Sequence, residues 1–151
     1  MKKFAKVLFP VDLSESSEKI VPYVQTIGKL FNSEIHVLFV ARGFDYFSSI
    51  YVPPVSIEQF GKEIIEGAEK RLDEFLDRHF KEFPNALGVV QSGDASEKII
   101  HYVKKKSIDL IIMGTHGRKG LNQVIFGSVS ERVVKTASVP VLLVNPHRVA
   151  D

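Results

Sequence analysis

Residues 114–128 read GTHGRKGLNQVIFGS, between the apolar β-formers DLIIM and a helix-like segment, VSERVVKTA. Glycine weakens regular structure, so Gly114, Gly117 and Gly127 around one connection imply a physical demand on the backbone there. Gly114 and Gly117 let the chain turn sharply and approach a ligand with no Cβ between them. Gly127 and Ser128 stand where a helix would begin, and the free N–H groups and positive dipole end of a helix favour an anion. The Ser128 hydroxyl can bond a phosphate oxygen or cap the helix. Arg118 and Lys119 add positive charge. The chemistry this describes is a phosphate cradle; the plain alternative is a tight turn followed by an ordinary cap. The stretch is not a Walker A loop, which needs Gly-Lys followed by Ser or Thr, and its glycine spacing is not GxGxxG.

A second chemical position is Asp12, at the end of the apolar run VLFPV. It is a candidate ligand group or a helix N-cap, and sequence alone leaves these even. His116, between two of the glycines, is a candidate phosphate contact or an idle loop residue. His36, His79, His101 and His147 are scattered without metal-ligand spacing. No Ser-His-Asp or nucleophile-elbow arrangement appears, and no carboxylate pair is set for acid–base work. Lys104, Lys105 and Lys106 read as the solvated end of a helix, where cations complement the dipole.

Elements must exist to position these groups. Five apolar runs stand out, at 7–11, 34–41, 87–91, 109–114 and 140–145. Most are continuous rather than alternating, as in strands covered on both faces of a parallel sheet. Between them, apolar residues recur at helical spacing: Ile20, Val24, Ile27 and Phe31; Ile57, Ile64, Ala68, Leu72, Phe75 and Leu76; Ile99, Ile100 and Val103; Val129, Val133, Val134 and Ala137. Asp94 with Glu97, and Ser128 with Glu131, resemble capping boxes, the second more strongly. The order is β-α-β-α-β-α-β-α-β, an α/β fold with right-handed crossovers and helices on both faces of a parallel sheet. Ligands of such sheets bind beyond the carboxyl ends of the strands, where the winding reverses. If the first and fourth strands are neighbours, Asp12 and the glycine stretch line one crevice. Residues 42–59, aromatic and carrying Pro53-Pro54, read as a long surface loop near its mouth.

Bulk properties agree. A chain of 151 residues suits a single domain, 1–151, with a sizeable core. With 44% hydrophobic and 25% charged residues it is ordinary for a globular protein, and a formal charge of +2 argues neither for nor against nucleic acid. The absence of cysteine excludes disulfides and thiolate chemistry and fits a reducing cytoplasm. The N-terminus, MKKFAKVLFPVD, reads as neither signal peptide nor membrane span.

The pattern G-x2-G-x9-G-[ST], filled by Gly114, Gly117, Gly127 and Ser128, resembles the nucleotide motif of the universal stress protein family. So do PVDLSESS at the first strand, DLIIMGTHGR at the fourth, GSVSERVV at the last helix and the ending ASVPVLLV; together they span nearly the whole chain. The resemblance, to the ATP-binding branch, implies an open five-stranded parallel sheet of order 3-2-1-4-5, Rossmann-like. It implies that Asp12 contacts the ribose hydroxyls and that Val40 offers backbone to adenine. Gly114, Gly117, Gly127, Ser128, Val129 and Ser130 would surround ribose and phosphates, with Pro10, Met113 and His116 completing the site. A divalent cation, Mg2+ or Mn2+, would bridge the phosphates. Phe39 stands where many relatives carry His. The functional expectation is a cytoplasmic ATP-binding stress-response switch, with a slow ATPase or nucleotide-transferring enzyme as the alternative and no membrane or nucleic-acid partner. Catalysis is disfavoured because no base or water-positioning residue is evident. The apolar final strand, 139–145, would sit at the sheet edge with unpaired backbone groups, so a homodimer joined through it is expected.

Overall fold

A computed structural model describes residues 2–42, 54–116 and 127–150. The elements alternate along the chain: β1 (Lys6–Val11), α1 (Glu15–Phe31), β2 (Glu34–Ala41), α2 (Pro54–His79), β3 (Ala86–Ser92), α3 (Ala95–Lys106), β4 (Leu110–Gly114), α4 (Ser128–Thr136) and β5 (Val141–Val144). The strands form one parallel sheet of order β3-β2-β1-β4-β5. The strand order and the α/β class are those expected from the sequence. One boundary differs: the stretch read as a loop from 42 to 59 ends earlier, because residues 54–59 already belong to α2. Pro54 is the first helical residue, where a missing N–H costs nothing and a fixed φ helps the helix start. Residues 43–53 lie outside the described residues.

The continuous apolar runs reflect burial on both faces of the sheet. Val7, Phe9 and Val11 of β1, Ile35 and Val37 of β2, and Leu110 and Ile112 of β4 pack under Ile20, Val21 and Val24 of α1 and Leu72 and Phe75 of α2. The alternate residues Leu8, Leu38, Ile111 and Met113 face Ile99, Tyr102 and Val103 of α3 and Val133 of α4. Leu8 and Phe9, adjacent in β1, are both fully buried, one on each face. Truncating a buried Phe of this kind costs about 3–5 kcal/mol, so either layer alone carries a large part of the stability. Among the described residues no helix is long and apolar enough to cross a membrane.

On the α3 side of the sheet, β2 buries a polar residue, His36. It is 3% exposed, held between the Tyr102 hydroxyl at Nδ1 (2.6 Å) and the Glu34 carboxylate at Nε2 (2.5 Å). Burial lowers its pKa below 6.5, against the opposing pull of Glu34. The neutral ring fits both neighbours when Tyr102 donates to Nδ1 and Nε2–H donates to Glu34.

Candidate functional site

The winding reverses between β1 and β4. The helix after β1 lies on one face, and the helix leading into β4 lies on the other. In register, β1 and β4 are paired only at Val7↔Leu110 and Leu8↔Ile111, whereas β1 follows β2 as far as Val11↔Phe39. The two central strands thus part toward their carboxyl ends, and Pro10 has no N–H with which to extend the pairing. Asp12 and Gly114 sit at the two sides of the resulting crevice.

On the β1 side the carboxylate is fixed by its own chain. Asp12 Oδ1 accepts from the Ser14 N–H (2.9 Å), the Ser14 hydroxyl (2.5 Å) and the Ser17 hydroxyl (2.8 Å). The Asp12 N–H donates to Ser17 Oγ at 3.1 Å. The N-cap of α1 is Ser14, whose side chain accepts from the Ser16 N–H. Asp12 is therefore not the cap that the sequence left as an alternative; it is a strand-tip carboxylate that organises the turn leading to the cap. Leu13, between them, has φ of 60°. A left-handed Leu is rare and costs of order 1–3 kcal/mol, a cost tolerated where surrounding contacts over-determine the conformation.

On the β4 side the chain leaves the sheet through Gly114 and Thr115. A Cβ on Gly114 would stand 2.9 Å from Ile20 Cδ1 and 3.1 Å from the His116 carbonyl oxygen, so a larger residue would have to shift the Ile20 side chain and press on the backbone of this exit. The Thr115 N–H donates to the Val144 carbonyl (2.9 Å), and the Gly127 N–H donates to the Thr115 carbonyl (2.7 Å). These two bonds hold the start of α4 against the end of β4. Ser130, 3% exposed, completes the joint. Its hydroxyl lies 2.8 Å from the Thr115 carbonyl oxygen and 2.9 Å from that of Gly127.

The cap of α4 differs from the sequence reading. Gly127 is the N-cap and makes no side-chain cap bond; Ser128 is the first helical residue and exposed. The resemblance of Ser128 and Glu131 to a capping box is not realised: the Glu131 N–H bonds the Gly127 carbonyl (3.0 Å), and its carboxylate pairs with Lys135 (2.8 Å). The physical reason is register. The chain enters the helix one residue earlier than a Ser128 cap requires, since the Gly127 carbonyl already accepts from the Glu131 N–H. With Glu131 making the first intrahelical bond, the N–H groups of Ser128, Val129 and Ser130 have no acceptor within the helix. The Ser128 hydroxyl stands beside them. A first turn of this kind suits an anion.

The remaining expected positions are spread around this crevice. Val40 lies past the last β1–β2 pair and is in register only with Gln91 of β3, so β2 projects beyond the tip of β1 there. Pro10 is half-buried; Met113 is 5% exposed and belongs to the core beneath α3 and α4. His116 Nδ1 lies 2.8 Å from the Thr115 hydroxyl, and its ring meets that of His147 edge to face with centroids 5.7 Å apart. Gly117, Arg118 and Lys119 lie outside the described residues. Sequence reasoning missed Ser17, Thr115 and His147. PVDLSESS offered a signal for Ser17 as the small polar residue one turn into the helix. His147, 31 residues from His116, offered none.

Among the described residues no three carboxylate or imidazole groups converge as a protein cation site. The donor set at the crevice is one carboxylate at β1 and neutral N–H and hydroxyl donors at α4. That set fits an anion-bearing ligand and leaves the ligands of any accompanying cation to the anion.

A family model of the universal stress protein family matches residues 3–145. The chain belongs to that family. Universal stress protein MJ0531 of Methanocaldococcus jannaschii is 29% identical over 146 residues, covering 93% of this chain and 82% of the relative. The solved structure of MJ0577, another universal stress protein of that organism, superposes with a TM-score of 0.79 at 26% identity, over 99% of this chain and all of the other. Two more distant neighbours share the fold and were solved with ligands. A universal stress protein in complex with cAMP has a TM-score of 0.68 at 18% identity over 96% of this chain and 99% of its own. One from Archaeoglobus fulgidus in complex with dAMP has a TM-score of 0.65 at 17% identity over 94% and 98%.

Proposed function

We propose that this universal stress protein is a cytoplasmic ATP-binding regulatory switch, which changes partners or conformation according to its bound nucleotide. The observation that carries the reading is the α4 start. Three N–H groups without an intrahelical acceptor and a Ser128 hydroxyl not used as a cap stand at the helix start that follows β4, and the Asp12 carboxylate stands at the tip of the neighbouring strand β1. Phosphate and ribose are the two parts of a nucleotide that these groups suit. The adenine nucleotides held by two structural neighbours support the same class of ligand. In this reading Asp12 bonds the ribose hydroxyls and the backbone at Val40 reads the adenine edge. Gly114, Gly117, Gly127, Ser128, Val129 and Ser130 pass along ribose and phosphates. For Ser130 the contribution is its backbone N–H, since the hydroxyl is committed to Thr115 and Gly127. Mg2+ or Mn2+ travels on the phosphates.

We further propose a homodimer through β5, the edge strand of the sheet. Val141 and Leu143 pack inward beneath α3 and α4, while Leu142 is 38% exposed. The side chain to alter at this edge is therefore Leu142, rather than Val141 or Leu143. Calorimetry with ATP and GTP, followed by a turnover assay on the same sample, tests the function. Tight ATP binding with weaker GTP binding and no turnover supports a switch. Steady release of ADP would replace it with the slow ATPase, and no binding of either nucleotide would refute it.

A further inference from the structure

We infer that His147, on the turn after β5, joins His116 as a second wall at the phosphate end of the crevice, so that the C-terminal turn distinguishes a triphosphate from a monophosphate. This rests on the nucleotide reading above and adds to it a specificity residue.

Three observations place His147 there. First, β4 and β5 run in register to Gly114↔Val144, and the Thr115 N–H to Val144 carbonyl bond extends the pairing one residue further. The two chains leave the sheet side by side, one toward α4 and the other into the turn. Second, the turn is built to hold position 147. Asn145 Oδ1 accepts from the His147 N–H (3.0 Å), and the Asn145 carbonyl accepts from the N–H groups of Arg148 (3.1 Å) and Val149 (3.3 Å). Pro146 is buried, and Val149 packs back onto the core under α1 and α2, so the segment is anchored on both sides of the histidine. Third, the His147 ring stands edge to face against His116, which follows the residue that receives the Gly127 N–H.

Both imidazoles are thus tied to the same short backbone joint that positions the first turn of α4. His147 is exposed, with a ring N–H able to donate, and Arg148 follows it. An exposed imidazole followed by an exposed arginine, near helix N–H groups without an intrahelical acceptor, suits the outer oxygens of a polyphosphate chain. A monophosphate satisfied at the helix start alone would extend less far toward it.

The test is calorimetry of the full chain with magnesium salts of ATP, ADP and AMP, in wild type, His147→Ala and His147→Gln. His147 is exposed, so the variants should keep the wild-type thermal midpoint. The Ala variant should lose about three- to tenfold in ATP affinity, the size of one hydrogen bond, with AMP affinity unchanged. The Gln variant, which keeps an N–H donor, should recover part of the loss. An unchanged ratio of ATP to AMP affinity in His147→Ala, with nucleotide still bound, overturns this inference alone. A wild type that binds none of the three overturns the nucleotide reading with it.

Discussion

Replacing Asp12 separates its two roles, because its structural bonds and its ligand bonds depend differently on charge. Oδ1 takes the Ser14 N–H and hydroxyl and the Ser17 hydroxyl, and Ser17 is 3% exposed. Asp12→Ala removes all of these acceptors and leaves the buried Ser17 without one of its partners. A buried group left unsatisfied costs about 1–3 kcal/mol, so this variant should lose roughly that much stability as well as nucleotide. Asp12→Asn keeps an acceptor oxygen for Ser14 and Ser17 but replaces the second oxygen by an NH2 group and removes the charge. Hydrogen bonds to a charged group contribute about 1.5–3 kcal/mol and neutral ones about 0.5–1.5, so the amide should weaken ribose contact by about 1–1.5 kcal/mol, roughly five- to tenfold in affinity. The assay is calorimetry with ATP and with its 2′,3′-dideoxy form, alongside thermal unfolding. Wild type should prefer the ribose form, Asp12→Asn should lose most of that preference with a small change in stability, and Asp12→Ala should lose both. A wild type that binds the two forms equally, or an Asp12→Asn variant with undiminished preference, would refute the ribose contact and leave Asp12 as a turn-organising residue only.

Other consequences can be checked singly. Ser128→Ala should leave stability within about 0.5 kcal/mol, because no cap bond is lost, while ATP affinity falls. Ser130→Ala should show the reverse order of effects: about 1–2 kcal/mol of stability lost through the Thr115 and Gly127 carbonyls, measured by urea unfolding. Leu142→Lys should give a folded monomer by sedimentation velocity if β5 forms the dimer edge; a wild type already monomeric at micromolar concentration removes that proposal. His36 is held neutral in the fold below its ordinary 6.5, so the unfolded chain binds the extra proton first. Its contribution should be complete above about pH 6.5 and lost as pH falls from there through the lower folded value. Urea midpoints between pH 7.5 and 5 should decline in wild type and decline less in His36→Gln; equal slopes would show that the buried ring does not set this dependence.

The sheet was legible because burial on both faces writes itself as continuous apolar runs, and strands β1, β2 and β4 show it most clearly. The position of Asp12 followed from the run it ends. What the sequence did not carry was the register at helix starts. Ser128 and Glu131 have the spacing of a capping box, yet the helix starts one residue earlier, with Gly127 as its cap and the Gly127 N–H bonded to the Thr115 carbonyl. That bond depends on where β4 ends in space. The same holds for Gly127: a Cβ there would meet the Thr115 carbonyl oxygen at 3.3 Å, so Gly127→Val would press on the β4–α4 joint as well as on a phosphate. Ser128→Ala is the cleaner probe of the cradle. His116 and His147 meet only because β4 and β5 are paired to their ends.

The central claim is that an adenine nucleotide occupies the crevice between β1 and β4, with its phosphates on the first turn of α4. Backbone amide NMR of the full chain, titrated with magnesium ATP, tests it residue by residue. The account predicts saturable shifts centred on Asp12, Val40, Gly114 and the amides of Ser128, Val129 and Ser130, with the β5 edge and the C-terminal half of α2 little changed. Saturable shifts confined to another part of the molecule, or none at millimolar ATP, would contradict it.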